Sequence, residues 1–191
     1  TLDDLLVCLA QRGAQALWPL ILLKNGDCVP REMQSRALYR HDPAKIAAAK
    51  RVLDRLRKLS EVRPVLETVE KLNQFYLAIA VFPIDRKNRE AAIPLNRIAN
   101  YKEVMRALQS TKIPVPTAGP SVDGSPPPSI ESFADSFSIA PQGVSCPRIV
   151  KVRDSTGREQ KQLVKGMDDL RQDAVMQQLF RLINDVFQEN P

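Results

Sequence analysis

The sequence predicts an α+β chain in which a helical half precedes an antiparallel sheet and a long closing helix. Three observations predict it. Apolar residues recur at helical spacing up to residue 110, a proline-rich stretch follows over 111–130, and the apolar period shortens toward two before a last helical run. The expected organisation is a helical region 1–110, a linker 111–130, and a strand-and-helix region 131–191.

Leu2, Leu5, Leu6, Leu9, Leu17, Leu20 and Ile21 carry the first helical stripe, which Asn25-Gly26 should end. Gly13 and Pro19 interrupt it, and two short helices are expected. Asp42-Pro43 is a strong helix start, since the carboxylate accepts from free amides and proline occupies the first turn without losing a hydrogen bond. The stripe Ile46, Ala49, Val52, Leu53 and Leu56 continues that helix to about Leu59. Ser60 should cap a second long helix with Val62, Val65, Leu66, Val69, Leu72, Phe75, Tyr76 and Ile79 on one face. So short a connection implies an antiparallel pair, the geometry of a helical repeat whose core needs further neighbours.

Residues 85–95 are polar, and 98–108 should form one more short helix. Pro114, Pro116, Pro120 and the run Pro126-Pro127-Pro128 then mark the linker.

Phe133, Phe137 and Ile139 read as a strand-like run ending in the turn at Ala140-Pro141-Gln142-Gly143. Residues 148–153 alternate, with Val150 and Val152 on one face. Asp154-Ser155-Thr156-Gly157 has the chemistry of a hairpin turn, and 158–165 returns as the partner strand. Asp168 or Asp169 should cap the last helix. Its stripe includes Val175, Met176, Leu179, Phe180, Ile183 and Val186.

Composition narrows the function classes. The chain has 191 residues, with 43% hydrophobic and 26% charged, and no apolar run near the roughly 20 residues a membrane helix needs. No membrane association is expected. The three cysteines, Cys8, Cys28 and Cys146, lack zinc-site spacing and suit a reducing compartment. One histidine, His41, rules out catalytic sets built on several, and it reads as part of a polar turn. The net charge of +6 is distributed among helices that also carry acids, and aromatics make up 5%. Direct DNA binding by this segment is therefore not expected.

The run from Gln162 to Asp173, Gln-Leu-Val-Lys-Gly-Met-Asp-Asp-Leu-Arg-Gln-Asp, carries the chemistry. A lysine ends a strand, glycine lets the chain turn, and acids open a helix. Lys165 would project from a sheet edge, and Asp173 could hold its ammonium in place. Such a lysine suits a polyphosphate, because its orientation is set before the ligand arrives. The same pattern also suits an ordinary surface ion pair, contributing about 0–1 kcal/mol.

The string is more specific than its chemistry. Gln-Leu-Val-Lys-Gly, followed by Asp-Asp-Leu-Arg-Gln-Asp-Ala-Val-Met-Gln-Gln over 168–178, resembles the phosphoinositide-kinase-related protein kinases, and within them the ATM-like branch. The close match covers about sixty residues. The resemblance implies that Lys165 contacts ATP phosphates, that Asp173 pairs with it, and that Asp168 lies near the phosphates. It also implies that Pro141, Gln142, Gly143, Val144 and Ser145 form the phosphate-covering loop. This chain has Pro141-Gln142-Gly143 where the pattern tends to show adjacent glycines.

By the same resemblance, 1–110 is the helical end of a FAT-like domain and 131–191 the start of a kinase small lobe with an αC-like helix. No catalytic-loop aspartate or Asp-Phe-Gly follows Lys165, so the chain is expected to be an excerpt that is inactive by itself, its Mg²⁺ ligands lying outside it. The implied whole is a nuclear serine/threonine protein kinase that uses ATP and favours Ser or Thr followed by Gln. It would act in double-strand-break checkpoint signalling and telomere maintenance, as a homodimer recruited by a DNA-end-sensing partner complex. A lipid kinase and a non-enzymatic helical scaffold with a kinase remnant are the alternatives.

Overall fold

The computed structural model describes residues 1–25, 42–84, 92–117, 125–141, 146–166 and 171–189. His41, Gly26 and Cys28 lie outside the described residues. Helix α1 (Leu2–Arg12) opens with a capping box, in which the Thr1 hydroxyl accepts from the Asp4 amide and the Asp4 side chain reaches back to Thr1. It stops at Gly13, whose backbone is extended, and a single 3₁₀ turn (Ala14–Ala16) leads into α2 (Leu17–Lys24). Pro19 therefore does not divide the helices. It sits in the first turn of α2, where an amide has no intrahelical partner to lose.

Helix α3 (Pro43–Arg57) begins as expected, with the Asp42 carboxylate accepting from the Lys45 amide at 3.1 Å and Pro43 in the first turn. Its buried residues are the five of the anticipated stripe. Helix α4 (Arg63–Val81) starts without the expected Ser60 cap. The Leu59 carbonyl instead accepts from the Val62 and Arg63 amides, and the Ser60 hydroxyl turns to Glu61. Arg63 closes the turn by donating through Nε to the Arg57 carbonyl at 2.8 Å. The stripe of α3 meets α2 and α1 as well as α4, and Leu17, Ile21, Val52, Leu53, Leu66 and Phe75 are essentially fully buried between them.

The polar stretch before the next helix ends in a strand that its sequence did not announce. Strand β1 (Ile93–Pro94) and the turn Leu95–Arg97 place Ile93 and Leu95 in the core ahead of α5 (Tyr101–Ser110). Proline-rich 111–130 is anchored at both flanks. Ile113 and Val115 are fully buried. The Ile130 amide donates to the Ile113 carbonyl at 2.8 Å, and the Val115 amide to the Pro128 carbonyl at 2.9 Å.

The run from Phe133 to Ile139 is two strands, β2 (Ile130–Phe133) and β3 (Ser136–Ile139). Strand β4 (Arg148–Asp154) is the centre of the sheet. Its first residues pair with β3 and its last with β2, and its other edge pairs with β5 (Glu159–Val164), all antiparallel. Strand β1 extends the sheet beyond β3.

Helices and sheet share one hydrophobic core. Phe75 of α4 meets Phe133 edge to face at 5.4 Å, and Phe82 meets Phe137 at 5.9 Å. The last helix, α6 (Arg171–Glu189), is amphipathic as its spacing predicts, yet Val175, Phe180, Leu182 and Phe187 are exposed.

Candidate functional site

Strand β4 turns its alternate residues inward: Arg148, Val150, Val152 and Asp154 are buried. Asp154 shapes the following turn by accepting from the Thr156 and Arg158 amides, and Gly157, at φ 80°, takes the left-handed conformation that completes it. The hairpin fixes the register of β5 against β4, so that Val164 lies opposite Arg148 and Gln162 opposite Val150.

Gln162 is the buried residue of β5, and its side-chain carbonyl accepts from the Tyr76 hydroxyl of α4. Burial pushes the Tyr76 phenol well above its ordinary pKa, and the hydrogen bond to Gln162 opposes this only in part. The phenol is thus a neutral donor, and β5 is tied to the helical half through it.

Lys165 follows immediately. Its Nζ lies 2.9 Å from the Asp173 Oδ2 in the first turn of α6. The lysine side chain is 21% exposed and the aspartate 52%, so the stem is sheltered while the ion pair meets solvent. The two residues proposed to act together are therefore brought together.

Gly166 lies against the end of α4. A Cβ placed there would fall 2.1 Å from the Ala80 carbonyl oxygen. Glycine is required here for close approach to α4.

The anticipated phosphate-covering loop closes at its neck, where the Ala140 amide donates to the Pro147 carbonyl at 2.7 Å. Pro141 is exposed beside that neck. Gln142, Gly143, Val144, Ser145 and Asp168 lie outside the described residues. On the far side of the loop, Cys146 is buried with φ 48°, and Arg148 donates through Nη1 to its carbonyl at 3.2 Å. Arg148 also donates through Nη2 to the Phe82 carbonyl, at 2.9 Å. Burial draws the Arg148 pKa down from its ordinary value, yet a guanidinium starts so high that it keeps its charge at neutral pH.

Sequence reasoning missed Arg148. The available signal was a charged residue in phase with Val150 and Val152 on the inward face of the strand.

The arrangement holds an ammonium in a set direction at a sheet edge, which suits an anionic ligand. Among the described residues, no group of three or more His, Cys, Asp or Glu side chains is placed to hold a metal ion. The described residues by themselves therefore form no Mg²⁺ site.

Helices packed on an antiparallel sheet define a mixed fold that is similar to a FAT and kinase domain of known structure. The chain superposes on the FAT and kinase domain of CtTel1 with a TM-score of 0.66 and 25% identity, covering 96% of this chain and 12% of that one. The open conformation of CtTel1 gives the same TM-score at 26% identity, covering 94% of this chain and 7% of that one. No family model matches the chain.

The chain is a homologue of the ATM and Tel1 serine/threonine-protein kinases over most of its own length. It is 32% identical over 180 residues to serine/threonine-protein kinase ATM of Arabidopsis thaliana, covering 90% of this chain and 4% of that protein. It is 34% identical over 157 residues to serine-protein kinase ATM of Sus scrofa, covering 78% and 5%, and 39% identical over 103 residues to TEL1 of Saccharomyces cerevisiae, covering 49% and 4%. The chain thus spans about one twentieth of the length of these relatives.

Proposed function

We propose that the chain is the junction between a FAT-like helical region, 1–110, and the start of a kinase small lobe, 131–191, within a complete ATM-like kinase. That enzyme would transfer the γ-phosphate of ATP to protein Ser or Thr. The observation that carries the reading is the Lys165–Asp173 ion pair at the end of β5, in a chain homologous to named protein kinases.

In this reading Lys165 is the cation that meets the ATP phosphates, and Asp173 keeps its ammonium pointed at them. Charge neutralisation is then in place before transfer begins, which is where an electrostatic contribution is largest. Asp168 and the loop Pro141, Gln142, Gly143, Val144 and Ser145 complete the phosphate surroundings. Mg²⁺ would add further neutralisation of the phosphate charge, and the role of this segment in the reading is ATP-phosphate binding.

Resemblance supports a finer reading: phosphorylation of Ser or Thr followed by Gln, in double-strand-break checkpoint signalling and telomere maintenance, by a nuclear homodimer brought to DNA ends by a partner complex. Substitution Lys165→Ala in the complete enzyme is expected to lower kcat by about 10²-fold or more, with the fold intact by circular dichroism. Near-normal turnover would sink the lysine assignment. A peptide screen is expected to favour a Gln after the acceptor, and transfer to phosphoinositides in place of peptides would turn the reading to a lipid kinase.

A further inference from the structure

Two parts of the site that are separate in sequence rest on one piece of the helical half. Helix α4 ends at Val81, with Phe82 as its cap. The carbonyls of a last helical turn have no intrahelical partner and form the negative end of the helix dipole. Phe82, whose backbone has already left the helical conformation, offers its carbonyl to the Arg148 guanidinium at 2.9 Å, a charge-assisted bond just beyond the helix end.

The same guanidinium holds the Cys146 carbonyl at the neck of the loop. Arg148 faces Val164 across the β4–β5 ladder, one residue from Lys165. On the other side of that lysine, Gly166 meets the Ala80 carbonyl with no space for a methyl group. One turn back along α4, Tyr76 is bonded to Gln162.

We propose that the carboxy-terminal turn of α4 is the mount that sets the spacing between the loop neck, at Ala140, Cys146 and Pro147, and Lys165, with Arg148 and Gly166 as positioning residues. Arg148 ties the loop neck to the helix, and Gly166 allows the exit of the lysine strand to seat against it. A shift of the helical half at this turn is then conveyed to the loop neck and to the lysine strand at once. The proposal deepens the reading of Lys165 as the ATP-phosphate lysine and rests on it.

The test compares Arg148→Met, Arg148→Lys and Gly166→Ala with Lys165→Ala and the exposed control Lys161→Ala, all in the complete enzyme. Arg148→Met keeps a long apolar stem and loses both hydrogen bonds. Gly166→Ala forces the strand exit or the helix end to move. Small misplacements of a positioning group carry large kinetic penalties, so both are expected to raise KM for ATP about tenfold. KM for the peptide should stay within twofold, as should both constants in Lys161→Ala.

A purely structural role would lower active enzyme concentration and leave both KM values unchanged, which would overturn the proposal. If Arg148→Met does not fold, Arg148→Lys carries the test. It keeps the charge with a single donor group and is expected to show an intermediate rise in KM for ATP, and a wild-type value would overturn the mount. Turnover retained by Lys165→Ala would overturn the underlying reading and the mount with it. Loss of turnover in that variant alongside wild-type KM for ATP in the other three would overturn the mount while leaving the kinase reading standing.

Discussion

Asp154 shows how much one carboxylate can organise. It is 1% exposed, and it accepts from the Thr156 amide at 2.9 Å, the Thr156 hydroxyl at 2.6 Å and the Arg158 amide at 3.1 Å. Its other oxygen accepts from the Gln160 side chain. The Thr156 hydroxyl is the largest influence holding the carboxyl below its usual pKa of 3.8, and burial works against it. A group whose pKa is lower folded than unfolded contributes its stabilisation fully above the unfolded value, and loses it as pH falls through the folded one. Asp154→Asn is therefore expected to lower the urea midpoint at pH 7, with the gap from wild type narrowing toward pH 3. A gap equal at both pH values would show that the charge is not what matters. Asp154 and Gly157 were legible because turn chemistry is local. The left-handed Cys146 was not, since the Arg148 guanidinium that holds its carbonyl is itself set by the Phe82 carbonyl, 66 residues away in the chain.

At the scale of elements, Glu70 of α4 joins three helices. Its Oε1 accepts from Arg57 of α3 at 2.6 Å and from Lys24 of α2 at 2.9 Å, with all three side chains between 24% and 35% exposed. Exposed ion pairs contribute little singly, but this carboxylate serves two cations in a partly sheltered place. Glu70→Gln is expected to destabilise by about 1 kcal/mol, and an effect that persists undiminished in 1 M salt would argue against an ionic origin. Helix existence and the buried stripe of α3 could be read from spacing, because period and capping are properties of neighbouring residues. The start of α4 could not, since backbone carbonyls took the place of the Ser60 hydroxyl. Strand β1 was hidden for a related reason: it is two residues long and defined by its pairing with β3, not by any alternation. For α6, the pattern announces an apolar face but carries no information on the surface it meets.

Across the whole molecule, the helical half and the sheet are one packed body. Phe75 is fully buried, with edge contact to Phe133 of β2 and tilted contacts to Tyr76 and Tyr101. Phe75→Ala is expected to cost about 3–5 kcal/mol, and in hydrogen exchange the amides of α4 and β4 should lose protection together. Loss confined to α4 would mean that the two halves open independently. The division at a proline-rich linker was read from composition, which reports stiffness and polarity but not that Ile113 and Val115 are core residues.

The pinned neck formed by Ile113 with Ile130 and Val115 with Pro128 has a practical consequence. Chain length between the two flanks is decoupled from the packing on either side, because each doubling of a closed loop costs only about 0.6 kcal/mol. An epitope or a small fluorescent reporter spliced between these two flanks should thus leave the surrounding helices and sheet assembled, giving a labelling position that needs no free terminus.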